Sequence, residues 1–177
     1  MKESKVVSGI RSLEESERTA FGKFLNSPYF NTRQRLVLLY ETILSFAPGF
    51  EHENLNVQFV GARIFPNETS NAQKVREQMS FLYRLLKYLL KHQEVEEREY
   101  QGELCLLAQF RKRKLERAFE TERRALEKRL DQNPYQDIIY HGNKYQVANE
   151  SFEMRGQQQL RVEDHHLQEK MHHLDAW

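Results

Sequence analysis

Apolar residues along this chain recur three and four positions apart, and nearly every such run ends at a proline or a short polar turn. That spacing is the signature of helices with one buried face. The four prolines, Pro28, Pro48, Pro66 and Pro134, all fall at joints between runs. No segment alternates apolar and polar residues at period two between turn signals, so no strand is expected. The pattern predicts an all-α fold of roughly six to eight helices with short connections.

Ser12-Leu13-Glu14-Glu15 reads as a capping box, with the Ser12 hydroxyl accepting from the Glu15 amide and the Glu15 carboxylate reaching back to the cap amide. The helix it opens places Leu13, Ala20, Phe21, Phe24 and Leu25 on one side. It stops at Asn26-Ser27-Pro28, because the residue before a proline is pushed out of helical geometry. At this corner Tyr29 and Phe30 are expected to plug the gap between helices, and Asn31 to cap the next one. That second helix carries Leu36, Leu39, Tyr40, Ile43, Leu44 and Phe46 and ends at Ala47-Pro48-Gly49. A short third helix near 54–64 closes at Phe65-Pro66. Ser70 or Asn71 then starts a helix with Val75, Met79, Leu82, Leu85, Leu86, Leu89 and Leu90 on one face. Phe81, Tyr83 and Tyr88 form a second facet, which marks this helix as the centre of the N-terminal half.

Helix resumes near Glu96, with Leu104, Leu107, Ala108, Leu115, Ala118, Phe119, Ala125, Leu126 and Leu130 in one stripe. The stripe fits one long rod, or two helices folded back at Arg111-Lys112-Arg113-Lys114. A rod of more than about 30 residues strands half its apolar face, and cations suit the last turn of a helix, so the break is favoured. Asp131-Gln132-Asn133-Pro134 is a turn, followed by helix over 135–150 and again from 157 onward. A seam near His92–Glu97 divides the chain into an N-terminal helical bundle, 1–93, and repeat-like helical hairpins, 94–177, expected to pack as one continuous unit.

Composition adds bounds. Aromatic residues are 11% of the chain, which argues against disorder although charged residues reach 30%. The net charge of +1 excludes a globally basic nucleic-acid protein and leaves local patches open. The single cysteine, in Leu104-Cys105-Leu106-Leu107, is expected to be a small core residue in a reducing compartment. No stretch approaches the roughly 20 apolar residues of a membrane span. The opening Met-Lys-Glu-Ser-Lys has no apolar run behind it, so no secretory leader, no membrane partner and a cytoplasmic location are expected.

Two stretches carry resemblances. Phe24-Leu25-Asn26-Ser27-Pro28-Tyr29-Phe30-Asn31, the Leu-rich helix after it and Ile64-Phe65-Pro66 resemble an uncharacterised family of longer bacterial all-helical proteins. The resemblance implies architecture only, and implies that this chain is the N-terminal part of a longer protein. Ala125-x4-Leu130-Asp131-x-Asn133-Pro134 with Gly142-Asn143-x-Tyr145-x2-Ala148 is similar to the joint between two tetratricopeptide repeats. That similarity implies stacked antiparallel helix pairs, α-solenoid-like in the C-terminal half.

Chemistry is sparse. His165-His166 and His172-His173 recur on one helix face with Glu169 between, but such a stripe spans about 10 Å, too far for one ion, and reads as a polar face. No nucleotide-binding glycine loop, nucleophile elbow or Cys-x-x-Cys is present, so no enzyme and no cofactor are expected. From Arg111 to Arg129 there are nine basic and four acidic residues. Glu94, Glu96, Glu97, Glu99 and Glu103 upstream suit neutralisation of this face by an adjacent antiparallel helix. The rival reading is polyanion binding through Arg111, Lys112, Arg113, Lys114 and Arg117, a surface that lacks interleaved aromatics. The expected function is a non-catalytic helical scaffold that binds another protein, with a nucleic-acid-associated protein as the alternative. Leu160, Leu167, Met171, Leu174 and Trp177 form an apolar face on the last helix, through which self-association is expected.

Overall fold

In the computed structural model, which describes residues 1–66, 72–156 and 171–174, every regular element among those residues is a helix. The chain forms two compact units, Met1–Glu94 and Val95–Trp177.

Unit 1 begins with a helix that the spacing does not reveal. α1 (Lys5–Ser12) offers only Val6, Val7 and Ile10 to the core, too few positions to establish a period. The Ser4 hydroxyl caps it, accepting from the Val7 amide at 3.4 Å. Ser12 is therefore the end of a helix and not the start of one, and its hydroxyl donates to the Gly9 carbonyl at 2.8 Å. The capping box lies two residues further on. Glu14 precedes α2 (Glu15–Asn26), and the Glu17 carboxylate accepts from its amide at 2.8 Å. Burial of Leu13 in extended backbone moves the helix start downstream.

Arg18 ties these helices together. Its guanidinium donates to the Ile10 and Arg11 carbonyls at 3.3 and 3.0 Å, closing the C-terminus of α1. It also lies 5.3 Å from the ring centroid of Phe50, which is fully buried. The Arg18 carbonyl accepts from the Tyr40 hydroxyl of α3 (Gln34–Leu44) at 2.7 Å. Burial pushes the Tyr40 phenol up to about 12, against the opposing charge of Arg18.

The corner after α2 differs from expectation. The helix ends at Asn26, as the proline requires. Asn31 sits too early to cap α3, whose N-cap position is Arg33. Its side-chain Nδ2 instead donates to the Leu25 carbonyl at 2.9 Å, closing α2, while its side-chain oxygen accepts from the Arg33 amide at 2.9 Å. Tyr29 is 87% exposed and plugs nothing; Phe30 stacks on Phe24, with centroids 4.2 Å apart. Ala20 also faces outward.

α4 (Val57–Ile64) is capped by Asn56, whose side chain accepts from the Phe59 amide at 2.9 Å. The proposed caps of α5 (Ala72–Glu97), Ser70 and Asn71, lie outside the described residues. Val75, Met79, Leu82, Leu86 and Leu89 of α5 are buried in the unit 1 core, whereas Leu90 is exposed.

In unit 2, α6 (Gln101–Lys112), α7 (Glu116–Asp131) and α8 (Ile138–Gly156) each pack on the other two. The rod-or-hairpin question resolves as a hairpin. Lys114 adopts a left-handed φ of 56°. The Leu115 amide donates to the Phe110 carbonyl and the Lys114 amide to the Arg111 carbonyl, both at 3.0 Å. This is a Schellman stop with lysine where glycine is usual. Leu104, Leu107, Phe119, Leu126 and Leu130 are buried; Leu115 and Ala125 are not. Cys105 is exposed, not core, because it follows inward-facing Leu104 by one position and is turned about 100° away. The turn after Asp131 runs to Asp137, whose carboxylate accepts from the Ile139 and Tyr140 amides at 3.0 and 2.9 Å. That cap starts α8 three residues later than the spacing suggests. The expected helix from 157 lies outside the described residues except for 171–174, which are helical.

A methyl placed on Gly9 of α1 would lie 2.7 Å from Leu86 Cδ2, inside van der Waals contact with a fully buried side chain. Gly9→Ala should lower the stability of unit 1 by about 1 kcal/mol, overpacking outweighing the gain in helix propensity. In a Leu86→Ala background the same change should become neutral or stabilising, a reversal readable in urea titrations.

Candidate interaction site

The predicted polyanion-binding residues lie at the end of α6 and the start of α7, and the fold separates them. Arg111 is drawn into unit 2, where its Nε donates to Glu150 of α8 at 2.6 Å and both side chains are 17% exposed. The hydrogen bond and charge of Glu150 outweigh desolvation and hold the Arg111 pKa above its ordinary value. Lys112, Arg113, Lys114 and Arg117 remain exposed around the turn. Arg113 there donates to the Gln109 carbonyl at 3.3 Å and to its side chain.

The later arginines of the basic run, Arg123, Arg124 and Arg129, each meet a carboxylate. Arg123 is held between Glu120 and Glu127, at 2.9 and 2.6 Å. Desolvation works against its charge, but the Glu120 hydrogen bond and both carboxylates keep its pKa raised. Arg129, near the end of α7, pairs with Glu103, near the start of α6, as antiparallel neighbours must. Lys144 of α8 reaches Asp131 at 2.6 Å. Neutralisation of the basic face is partial: Glu103 joins it from upstream, the other carboxylates come from α7 and α8, and Lys112, Arg113, Lys114 and Arg117 stay exposed.

Sequence reasoning did not find a groove of about 600 Å³ within unit 2, lined by residues that include Gln101, Ile138, Ile139, Gly142, Asn143 and Gln146. Ile138 and Ile139 are 59% and 64% exposed, and Tyr135 before them is 75% exposed. Asn143 is buried, and its amide nitrogen has no hydrogen-bond partner. The available signal was the pair Ile138-Ile139 itself, since adjacent residues in a first helical turn point about 100° apart and a single neighbour rarely covers both. Gly142 and Asn143 of the repeat-like joint line this groove, while its Leu130 and Ala148 are buried.

Of the histidine face, His165, His166 and Glu169 lie outside the described residues. His173 instead meets His141 of α8, with Nδ1 atoms 3.1 Å apart. Among the described residues no group of three or more His, Cys, Asp or Glu side chains is arranged to hold a metal ion. No described helix is long and apolar enough to cross a membrane.

Two outcomes follow from these contacts. Lys114→Gly should relieve the left-handed backbone and raise the unfolding free energy of unit 2 by about 1 kcal/mol, seen as a higher denaturation midpoint. Desolvation alone would raise the Glu103 carboxyl, but the hydrogen bond and charge of Arg129 hold it below its ordinary value. A carboxylate depressed in the folded state stabilises above the unfolded carboxylate range, and that stability is lost as pH falls through the depressed value. The melting-temperature advantage of wild type over Glu103→Gln should therefore be full near neutrality and shrink as the pH falls below the ordinary carboxylate range. In comparisons with known proteins, no family model, no curated protein and no solved structure matches the chain.

Proposed function

We propose that this chain is a non-catalytic helical scaffold, and that unit 2 binds another protein through the groove beside Ile138 and Ile139. The observation that carries the reading is the exposure of two adjacent isoleucines at the lip of a 600 Å³ groove. Exposed apolar side chains grouped at a concave surface mark an interaction site more often than scattered ones do. The side-chain amides of Gln101, Asn143 and Gln146 supply donors and acceptors suited to a peptide backbone lying between apolar contacts. A peptide segment with an apolar anchor fits this chemistry better than a polyanion does, because the groove offers exposed isoleucines and side-chain amides. The repeat-like joint at Pro134 agrees with a solenoid-type stack in this half, and the Ser-Pro-Tyr-Phe-Asn corner with an N-terminal part of a longer bacterial helical protein.

The test is affinity capture with the full chain, with and without nuclease at matched salt. At least one protein partner should survive nuclease treatment, and Ile139→Glu should reduce its capture roughly tenfold, the scale of losing one buried anchor. Lys112→Gln should leave capture unchanged. Partners that all vanish with nuclease, or that ignore Ile139→Glu, would refute this reading.

A further inference from the structure

The polyanion surface that the basic run of unit 2 fails to supply is present, in a different form, on unit 1. The buried residues of α5 fix its rotation, and the opposite face then carries Phe81, Arg84, Tyr88 and Lys91 at steps of three, four and three residues. Aromatic and cationic side chains thus alternate along one line over about 15 Å. The corner after α2 adds three more groups. Phe30 packs beside Tyr88, with centroids 5.5 Å apart, and Tyr29 meets Phe30 edge-on at 4.9 Å. Arg33 lays its guanidinium 3.8 Å from the Phe81 centroid, and Arg84 lies 5.0 Å from the same ring.

Phe81 is half-buried against the core, and Phe24, also packed there, stacks on Phe30 and Tyr88 at 4.2 and 5.7 Å, yet three of these rings keep exposed surface. Tyr29 is 87% exposed, Tyr88 52% and Phe30 38%. The cations are not spent on carboxylates: among the described residues no ion pair involves Arg33, Arg84 or Lys91. One acidic residue, Glu77, shares the line, at its far end, and it accepts from Gln73 at 3.0 Å. The contrast with unit 2 is direct, since there most arginines of the basic run have an acidic partner.

We propose that this face of unit 1 binds single-stranded nucleic acid, its bases stacking on Tyr88, Phe30 and Tyr29 and its phosphates held by Arg33, Arg84 and Lys91. Alternating rings and cations match a polymer that alternates π faces with negative charges. A duplex does not fit, because its bases are stacked internally and offer no faces. An anionic membrane fits less well: interfacial helices segregate a wide apolar face from their cations, and here the two are interleaved with polar-tipped tyrosines. The proposal goes beyond protein binding by unit 2 and rests on a different surface.

The experiment is fluorescence anisotropy of the full chain with labelled oligothymidylate or oligouridylate about 15 nucleotides long. Binding is expected at low salt and should weaken as salt rises, with a log–log slope of about −0.7 per phosphate contact. Tyr88→Ser should weaken binding about tenfold, the scale of one lost stacking contact. Tyr29→Ser, at a side chain too exposed to matter for folding, should weaken it in the same direction. Arg84→Gln should lower affinity and make the salt slope shallower by about 0.7. Ile139→Glu should change nothing, so failure here and failure of the unit 2 reading are separable. Absence of binding at low salt would overturn the proposal. So would affinity indifferent to Tyr88→Ser and Tyr29→Ser together, equal affinity for duplex, or binding to anionic phospholipid vesicles without binding to either oligonucleotide.

Discussion

The inward stripe of α5 is the constraint on which unit 1 depends. Val75, Met79, Leu82, Leu86 and Leu89 are committed to the core, and α1 approaches closely enough that Gly9 leaves no room for a methyl against Leu86. A helix has one rotational degree of freedom, so fixing this face fixes the other. Arg84, Tyr88 and Lys91 are turned outward as a consequence of packing, with Phe81 half-buried beside them, and the corner after α2 brings Phe30 and Arg33 to the same line. Fold and candidate function in this unit therefore follow from one set of buried leucines.

Unit 2 is organised by its turns and its charges. A Schellman stop built on Lys114 folds α7 back on α6, and Asp137 sets the start of α8. The pairs Arg129–Glu103, Lys144–Asp131 and Arg111–Glu150 link α6, α7 and α8 to one another. Half-exposed pairs of this kind add little net stability, but breaking Arg111–Glu150 would leave a largely buried charge unmatched. Their main consequence is to draw Arg111 inward and to match Arg129 and Lys144 with carboxylates, while the cations around the turn stay exposed.

Much of the fold was legible because helix periodicity and proline are strong local signals. The all-helical class, the stop at Pro28 and most of the inner face of α5 follow from them, while the hairpin at 111–114 was legible from its cationic run and the length of the stripe. What was misread depends on tertiary competition. Ser12 and Glu15 have the spacing of a capping box, yet α1 claims Ser12 and the box moves to Glu14 and Glu17. Asn31 has the chemistry of an N-cap, yet the unsatisfied Leu25 carbonyl takes its side-chain amide. Cys105 sits among leucines in sequence but one position out of phase with the buried ones. The site was less legible than the fold. Charge counts along the chain pointed to 111–129, and only the three-dimensional pairing separates engaged arginines there from the open ones on α5.

On the proposed reading of unit 1, nucleic acid meets this protein at the exposed rings of α5 and of the corner after α2, and not at the basic run. Ultraviolet cross-linking of the full chain to single-stranded oligothymidylate, with the adducts mapped by peptide mass spectrometry, tests it most directly. Adducts are expected at Tyr88 and at Tyr29 or Phe30. Adducts confined to peptides covering 111–129 would contradict it.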